Sequence, residues 1–153
     1  MARKVRHINI PFRKSGPEEP RPFSDFAASQ NVVLLGDPGA GKSHLLRETA
    51  AAEGGRFVSA RTFLVTPAQR LKGQAIYIDG LDERRAGRGD RDTIDTLVEQ
   101  LFKVEPAKVR ISCRVADWLG ETDLAALNPY LRQVAHLSCC CSNACRPKTS
   151  ARS

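Results

Sequence analysis

The chain has 153 residues, 41% of them hydrophobic, which is enough for one domain that buries about 68–70% of the surface its unfolded form exposes. No run approaches the roughly 18 apolar residues of a membrane span, and the basic N-terminus MARKVRHINIPFRK has no apolar middle of the secretory type, so a cytoplasmic protein without a membrane partner is expected. The net charge of +7 lies at the two ends: residues 1–22 hold six Lys/Arg against two Glu, residues 139–153 hold three Lys/Arg and no acid, and residues 23–138 hold fifteen of each sign, so a dedicated nucleic-acid surface on the folded body is not expected.

Residues 1–22, rich in Pro, Arg and Lys, read as a flexible basic arm; Val5, Ile8, Ile10 and Phe12 offer an alternative short edge strand. Residues 22–30 (PFSDFAASQ) read as a short helix capped by Ser24, leading into an apolar first strand at about 31–36. A helix over 43–53 follows, stopped by Gly54-Gly55, and then a second strand at 56–60. Residues 61–65 leave helix and strand open, and Pro67 opens a short helical segment that carries Leu71 and ends near Gly73. Ala75-Ile76-Tyr77-Ile78 form a continuously apolar third strand of the buried type. The polar stretch RRAGRGDR (84–91) reads as a mobile loop. Asp92 then caps a helix with Ile94, Leu97, Val98, Leu101 and Phe102 at helical spacing, closed by Pro106. Residues 109–113 make a fourth strand ending at Arg114, residues 115–127 contain a short helix with Trp118 and Leu119 as core, and residues 131–137 offer a fifth strand. Strands alternating with helices, most of them apolar throughout, predict an α/β domain over residues 23–138 with a mostly parallel sheet of about five strands between two helical layers.

Between the first strand and its helix lies Gly36-Asp37-Pro38-Gly39-Ala40-Gly41-Lys42-Ser43, which fits G-x-x-x-x-G-K-[ST] at every fixed position. The residue types suit a triphosphate. Glycines let the backbone turn and approach closely, the loop amides and the following helix N-terminus form an anion nest, Lys42 brings a mobile full charge, and the Ser43 hydroxyl is a magnesium ligand. The bland alternative is a glycine turn before a helix. The third strand ends in Asp79-Gly80-Leu81-Asp82-Glu83. An acid at that strand end can face the ion held by Ser43, and Asp82 or Glu83 can orient or deprotonate an attacking water. The alternatives are a strand-end turn for Asp79 and a solvated acidic turn for Asp82 and Glu83. Ligands of open α/β sheets bind at the carboxyl ends of the strands, where the loop, Asp79 and Arg114 all fall.

IYIDGLDE (76–83), together with the glycine loop, resembles the motifs of the signal-transduction class of P-loop NTPases, NACHT-type ATPases in particular, over about residues 31–118. The resemblance implies a three-layer P-loop NTPase fold and a cytoplasmic regulatory switch that binds ATP with Mg2+ and hydrolyses it slowly. It also implies Asp79 as metal ligand, Asp82 or Glu83 as the catalytic acid and Arg114 as the sensor of the γ-phosphate. Without an N-K-x-D arrangement, ATP is expected over GTP. Relatives of this kind carry helical and winged-helix domains after the nucleotide fold, through which a protein partner or self-association is expected; here the chain ends soon after the fifth candidate strand. A non-catalytic nucleotide-binding or interaction module, or a truncated fragment of a larger NTPase, is therefore the alternative, and an ATPase that remodels nucleic acid is a third reading. Residues 139–153 hold Cys139, Cys140, Cys141 and Cys145 without the spaced pairs of a zinc site, and read as a disordered tail or as truncated or out-of-frame coding.

Overall fold

The computed structural model describes residues 4–8, 21–22, 31–85, 90–118, 121–127 and 133–137. Strands β1 (Lys4–Ile8) and β2 (Arg21–Pro22) precede β3 (Asn31–Leu35), helix α1 (Lys42–Glu53), β4 (Arg56–Ser59), α2 (Ala60–Val65), β5 (Ala75–Asp79), α3 (Leu81–Arg85), α4 (Asp90–Val104), β6 (Lys108–Cys113), α5 (Glu121–Leu127) and β7 (Gln133–Leu137). Single 3-10 turns occupy Ala68–Arg70 and Val115–Asp117.

All strands join one sheet in the order β2-β1-β7-β3-β6-β5-β4. Strands β3, β6, β5 and β4 form an all-parallel block. Beyond it β7 adds in parallel beside β3, and β1 and β2 add antiparallel. The class is thus α/β with a mostly parallel sheet, which differs from the expected five strands in extending past them: beyond β7 the sheet continues with β1 and β2 in antiparallel pairing. Residues 4–8 and 21–22 belong to that extension rather than to a free arm. Their strand depends on pairing with residues near 135, which a local reading of a basic, proline-rich stretch does not contain.

Alternation along the block splits the core into two layers. Val33, Leu35, Val58, Ile76, Ile78, Val109, Ile111 and Cys113 face one side, where Phe63 of α2, Leu81 of α3, Ile94, Leu97, Leu101 and Val104 of α4 and Leu127 of α5 cover them. Val32, Leu34 and Tyr77 face the other, against Leu46 and Ala50 of α1. Trp118 packs against the first layer. Helices therefore lie on both faces, as a buried parallel sheet requires.

Local chemistry sets the boundaries. Helix α1 stops where Gly54 turns into the left-handed region at φ 67°, and the Gly55 N–H donates back to Ala50 O at 2.8 Å. The ambiguous residues 61–65 are helix α2 because the Ser59 hydroxyl accepts the Thr62 N–H at 3.1 Å, which also ends β4 one residue earlier than expected. The stretch 84–91 is shorter as a loop than predicted. Residues 84–85 finish α3 and 90–91 begin α4, so Asp92 lies inside that helix rather than capping it. Helix α4 ends at Val104, before Glu105 at φ 46° and Pro106, which cannot continue a helix. The expected helix around Ser24, the tail cysteines, Leu119, and Ile10 and Phe12 of the arm lie outside the described residues. Among the described residues, no helix is long and apolar enough to cross a membrane.

Candidate functional site

The glycine loop leaves β3 at the carboxyl edge of the sheet. Gly36 N–H donates to Cys113 O at 3.3 Å, which ties the start of the loop to the end of β6. Gly39 and Gly41 stand at φ 77° and 86°, a region that costs an ordinary residue about 1–2 kcal/mol. The turn closes through Ala40 N–H to Asp37 O at 3.1 Å, and α1 begins with Leu45 N–H to Gly41 O at 3.0 Å. Ala40 is buried against the α1 layer, whereas Asp37, Pro38 and Ser43 are exposed.

Lys42 is only 9% exposed. Its side chain folds back over the loop, and Nζ donates to Gly36 O at 2.7 Å and Asp37 O at 2.9 Å. The cation is thus held at the throat of the glycine loop by backbone carbonyls and has no acidic side chain as partner among its described hydrogen bonds. A mobile surface lysine would not hold that position, because about 2 kcal/mol of rotamer freedom opposes it.

The acidic half of the site arrives on β5. Leu35 pairs with Cys113, and Ile78 pairs with Ile111, so the ends of β3, β6 and β5 are in step. The loop and Asp79 share this edge but are not on adjacent strands, because β6 lies between them. Ser112 of β6 bridges the gap. Its Oγ donates to Asp79 Oδ1 at 2.6 Å and accepts the Gly80 N–H at 2.9 Å, fixing one carboxylate oxygen and the turn behind it. Sequence reasoning missed Ser112. The signal was the period-2 alternation in Val109–Arg114, where Arg110, Ser112 and Arg114 share one side of an otherwise apolar strand.

Helix α3 carries the two further acids, and the structure treats them differently. Asp82 is 7% exposed, and its Oδ2 meets Arg114 Nε at 2.9 Å. Its Oδ1 accepts the Arg114 backbone N–H at 3.2 Å. Glu83 is exposed, its backbone N–H bonds to Gly80 O at 3.1 Å, and its side chain approaches Gly80. With Ser59, Ala60, Arg61, Gly80 and Arg84 it lines a cleft of about 390 Å³ at the ends of β4 and β5. The structure therefore brings Arg114 onto Asp82 and leaves Glu83 on the cleft wall.

The two residues expected to hold an ion, Asp79 and Ser43, offer hard oxygens, a carboxylate and a hydroxyl, of the kind magnesium takes together with phosphates and water. Among the described residues no three His, Cys, Asp or Glu gather as a metal cage.

Beneath α1 lies a second polar group that sequence reasoning did not find. Tyr77 Oη donates to Glu53 Oε2, and Lys108 Nζ donates to the same oxygen at 2.7 Å. Arg110, 1% exposed, interacts with both Tyr77 and Glu53. Burial pushes the Glu53 carboxyl up, but the hydrogen bonds from Lys108 and Tyr77 and the charges of Lys108 and Arg110 outweigh it, so it sits below its ordinary 4.5. Burial and the Glu53 carboxylate raise Tyr77 well above the usual phenol range. Glu53 ends α1, so these contacts pin the far end of the helix whose start is the glycine loop. Searches against protein-family models and against curated proteins return no match for the chain.

Proposed function

We propose that the chain is an ATP- and magnesium-binding P-loop NTPase domain, similar to the NACHT type, in which slow hydrolysis resets a regulatory state. The observation that carries the reading is the seating of Lys42 Nζ on Gly36 O and Asp37 O, at the mouth of a loop whose two positive-φ glycines open its backbone to a phosphate. In this reading the loop 36–43 and Lys42 take the phosphates, and Ser43 and Asp79 take the ion. Magnesium when bound neutralises charge between the β- and γ-phosphates.

Ser43, in the first turn of α1, and Asp79, at the end of β5, would hold the ion from one edge of the sheet, with β6 between β3 and β5.

Titration with a fluorescent ATP analogue tests the reading. Binding should require Mg2+ for full affinity, and Asp79→Asn should abolish the difference between titrations with and without the ion. Absence of ATP binding by the wild-type chain would end it. The second reading, a module that binds nucleotide without hydrolysing it, is favoured by the Arg114–Asp82 pair, which occupies one of the two candidate acids. Single-turnover measurement of phosphate release separates the two.

A further inference from the structure

We propose that Glu53, Tyr77 and Lys108 are positioning residues for the nucleotide site: by tying the far end of α1 to the sheet, they set where Ser43 stands relative to Asp79. This rests on the ATP- and magnesium-binding reading above and deepens it.

Helix α1 is thinly packed for its length. Of its 12 residues only Lys42, Leu46 and Ala50 are buried. Leu45 is half-buried beside them, and the Arg47 guanidinium lies 5.0 Å from the centre of the Phe57 ring. The three buried positions are four apart and form one row down the helix. A single row of this kind, inclined only about 26° to the axis, holds the helix onto the sheet but resists sliding along the axis poorly. That resistance has to come from the helix ends.

Both ends are tied to one strand. At the upper end Lys42 Nζ donates to Gly36 O at 2.7 Å, and the Gly36 N–H donates to Cys113 O at the end of β6. At the lower end Glu53 lies three residues beyond Ala50, on the same helix face, and accepts from Lys108 Nζ at 2.7 Å, at the start of β6. The 12 residues of α1 rise about 18 Å, and the six of β6 span about 20 Å, so helix and strand match in length. The Tyr77 hydroxyl donates to the same Glu53 oxygen. Its ring lies flush against Gly55, where an added Cβ would overlap it, so the turn after α1 is seated on Tyr77 as well. The Lys108 and Glu53 side chains are 24% and 23% exposed, and water screens such a pair less than one on the open surface.

The two residues assigned to the ion depend on different parts of this frame. Ser43 is carried by α1. Asp79 is held by Ser112 of β6 at 2.6 Å. An axial shift of α1 against β6 therefore changes the separation of the two oxygens offered to magnesium. It disturbs the phosphate contacts of the loop amides and Lys42 less, because these are continuous with the start of the helix. The expected signature is a loss confined to the magnesium-dependent part of ATP affinity.

Five proteins test this: wild type, Tyr77→Phe, Glu53→Gln, the double variant and Ile94→Val, each titrated with ATP with and without Mg2+ well below its melting temperature. Ile94 is buried on the opposite face of the sheet, so its variant lowers stability without touching α1. Tyr77→Phe and Glu53→Gln should each weaken MgATP binding by about three- to tenfold while metal-free ATP binding stays within about twofold. The double variant should be no worse than the worse single one, since both remove one connected set of contacts. Ile94→Val should melt lower with its ratio of MgATP to ATP affinity unchanged. Should Glu53→Gln fail to fold, Tyr77→Phe decides alone, because it removes one hydroxyl and keeps the Glu53 charge beside Lys108. An unchanged affinity ratio in Tyr77→Phe, or an equal fall in Ile94→Val, overturns the proposal. Wild-type ATP binding that is indifferent to Mg2+ overturns it too, while leaving the phosphate role of the loop in place; no ATP binding at all overturns both.

Discussion

Replacing Lys42 by alanine puts the glycine loop to its most direct test. A charge-assisted hydrogen bond contributes about 1.5–3 kcal/mol, so losing the contact with the outer phosphates should weaken ATP binding by roughly ten- to a hundredfold. The substitution also strips a donor from Gly36 O, which is buried in the Lys42 contact, and so lowers the stability of the empty protein. The ligand-induced rise in melting temperature separates the two effects. At a concentration of one hundred dissociation constants, ATP stabilises the folded state by about 2.7 kcal/mol, or roughly 5–11 °C for a chain of this size. At the same ATP concentration the variant should retain about 1.4 kcal/mol if binding is tenfold weaker and about 0.4 kcal/mol if it is a hundredfold weaker. Its shift should then be roughly 1–6 °C. Differential scanning fluorimetry with MgATP reads this directly. A variant that shifts by as much as wild type would refute the role given to Lys42, and with it the phosphate reading of the loop.

Ser112→Ala should destabilise the fold by about 1–3 kcal/mol, because the Gly80 N–H loses its acceptor and Asp79 its donor; it should also raise the Mg2+ concentration needed for half-maximal ATP binding, measured by titrating the metal. Leu46, fully buried beneath the sheet, should cost about 2–5 kcal/mol when cut to alanine, seen in chemical denaturation. Glu53 should impose an acid limb on stability. Its carboxyl lies below 4.5 in the folded state, so its contribution is complete above the unfolded value and is lost as pH falls through the lower folded one. Urea midpoints between pH 5 and 3 should fall less steeply for Glu53→Gln, and an unchanged slope would count against the Tyr77–Glu53–Lys108 contacts.

What the sequence revealed was local. The glycine loop, the apolar strand ending at Asp79 and the stop of α1 at Gly54 each follow from a few neighbouring residues. The start of α4 was less legible: Asp92 suits a cap, yet the helix already begins at Asp90. Pairing of residues 4–8 with the strand at 133–137 depends on contacts more than a hundred residues apart, which no local pattern carries. The difference between Asp82 and Glu83 was hidden for a related reason. As residue types they are near equivalents, and only the position of Arg114, brought over on β6, distinguishes them. Ser112 was legible in principle, through the alternation of its strand, but a single hydroxyl in an apolar run reads as filler until its partner is known.

Strand β6 touches every part of this arrangement. Its terminal carbonyl anchors Gly36, Ser112 steadies Asp79, Arg114 just beyond it engages Asp82, and Arg110 reaches the contacts beneath α1. A slip of one residue along this strand would exchange its two faces, driving a serine and an arginine into the hydrocarbon layer under α4 and turning Ile111 toward α1. Insertions or deletions in residues 108–114 should therefore be far less tolerated than in the stretch before α4, and the two halves of the site cannot drift apart in evolution unless this one segment changes with both.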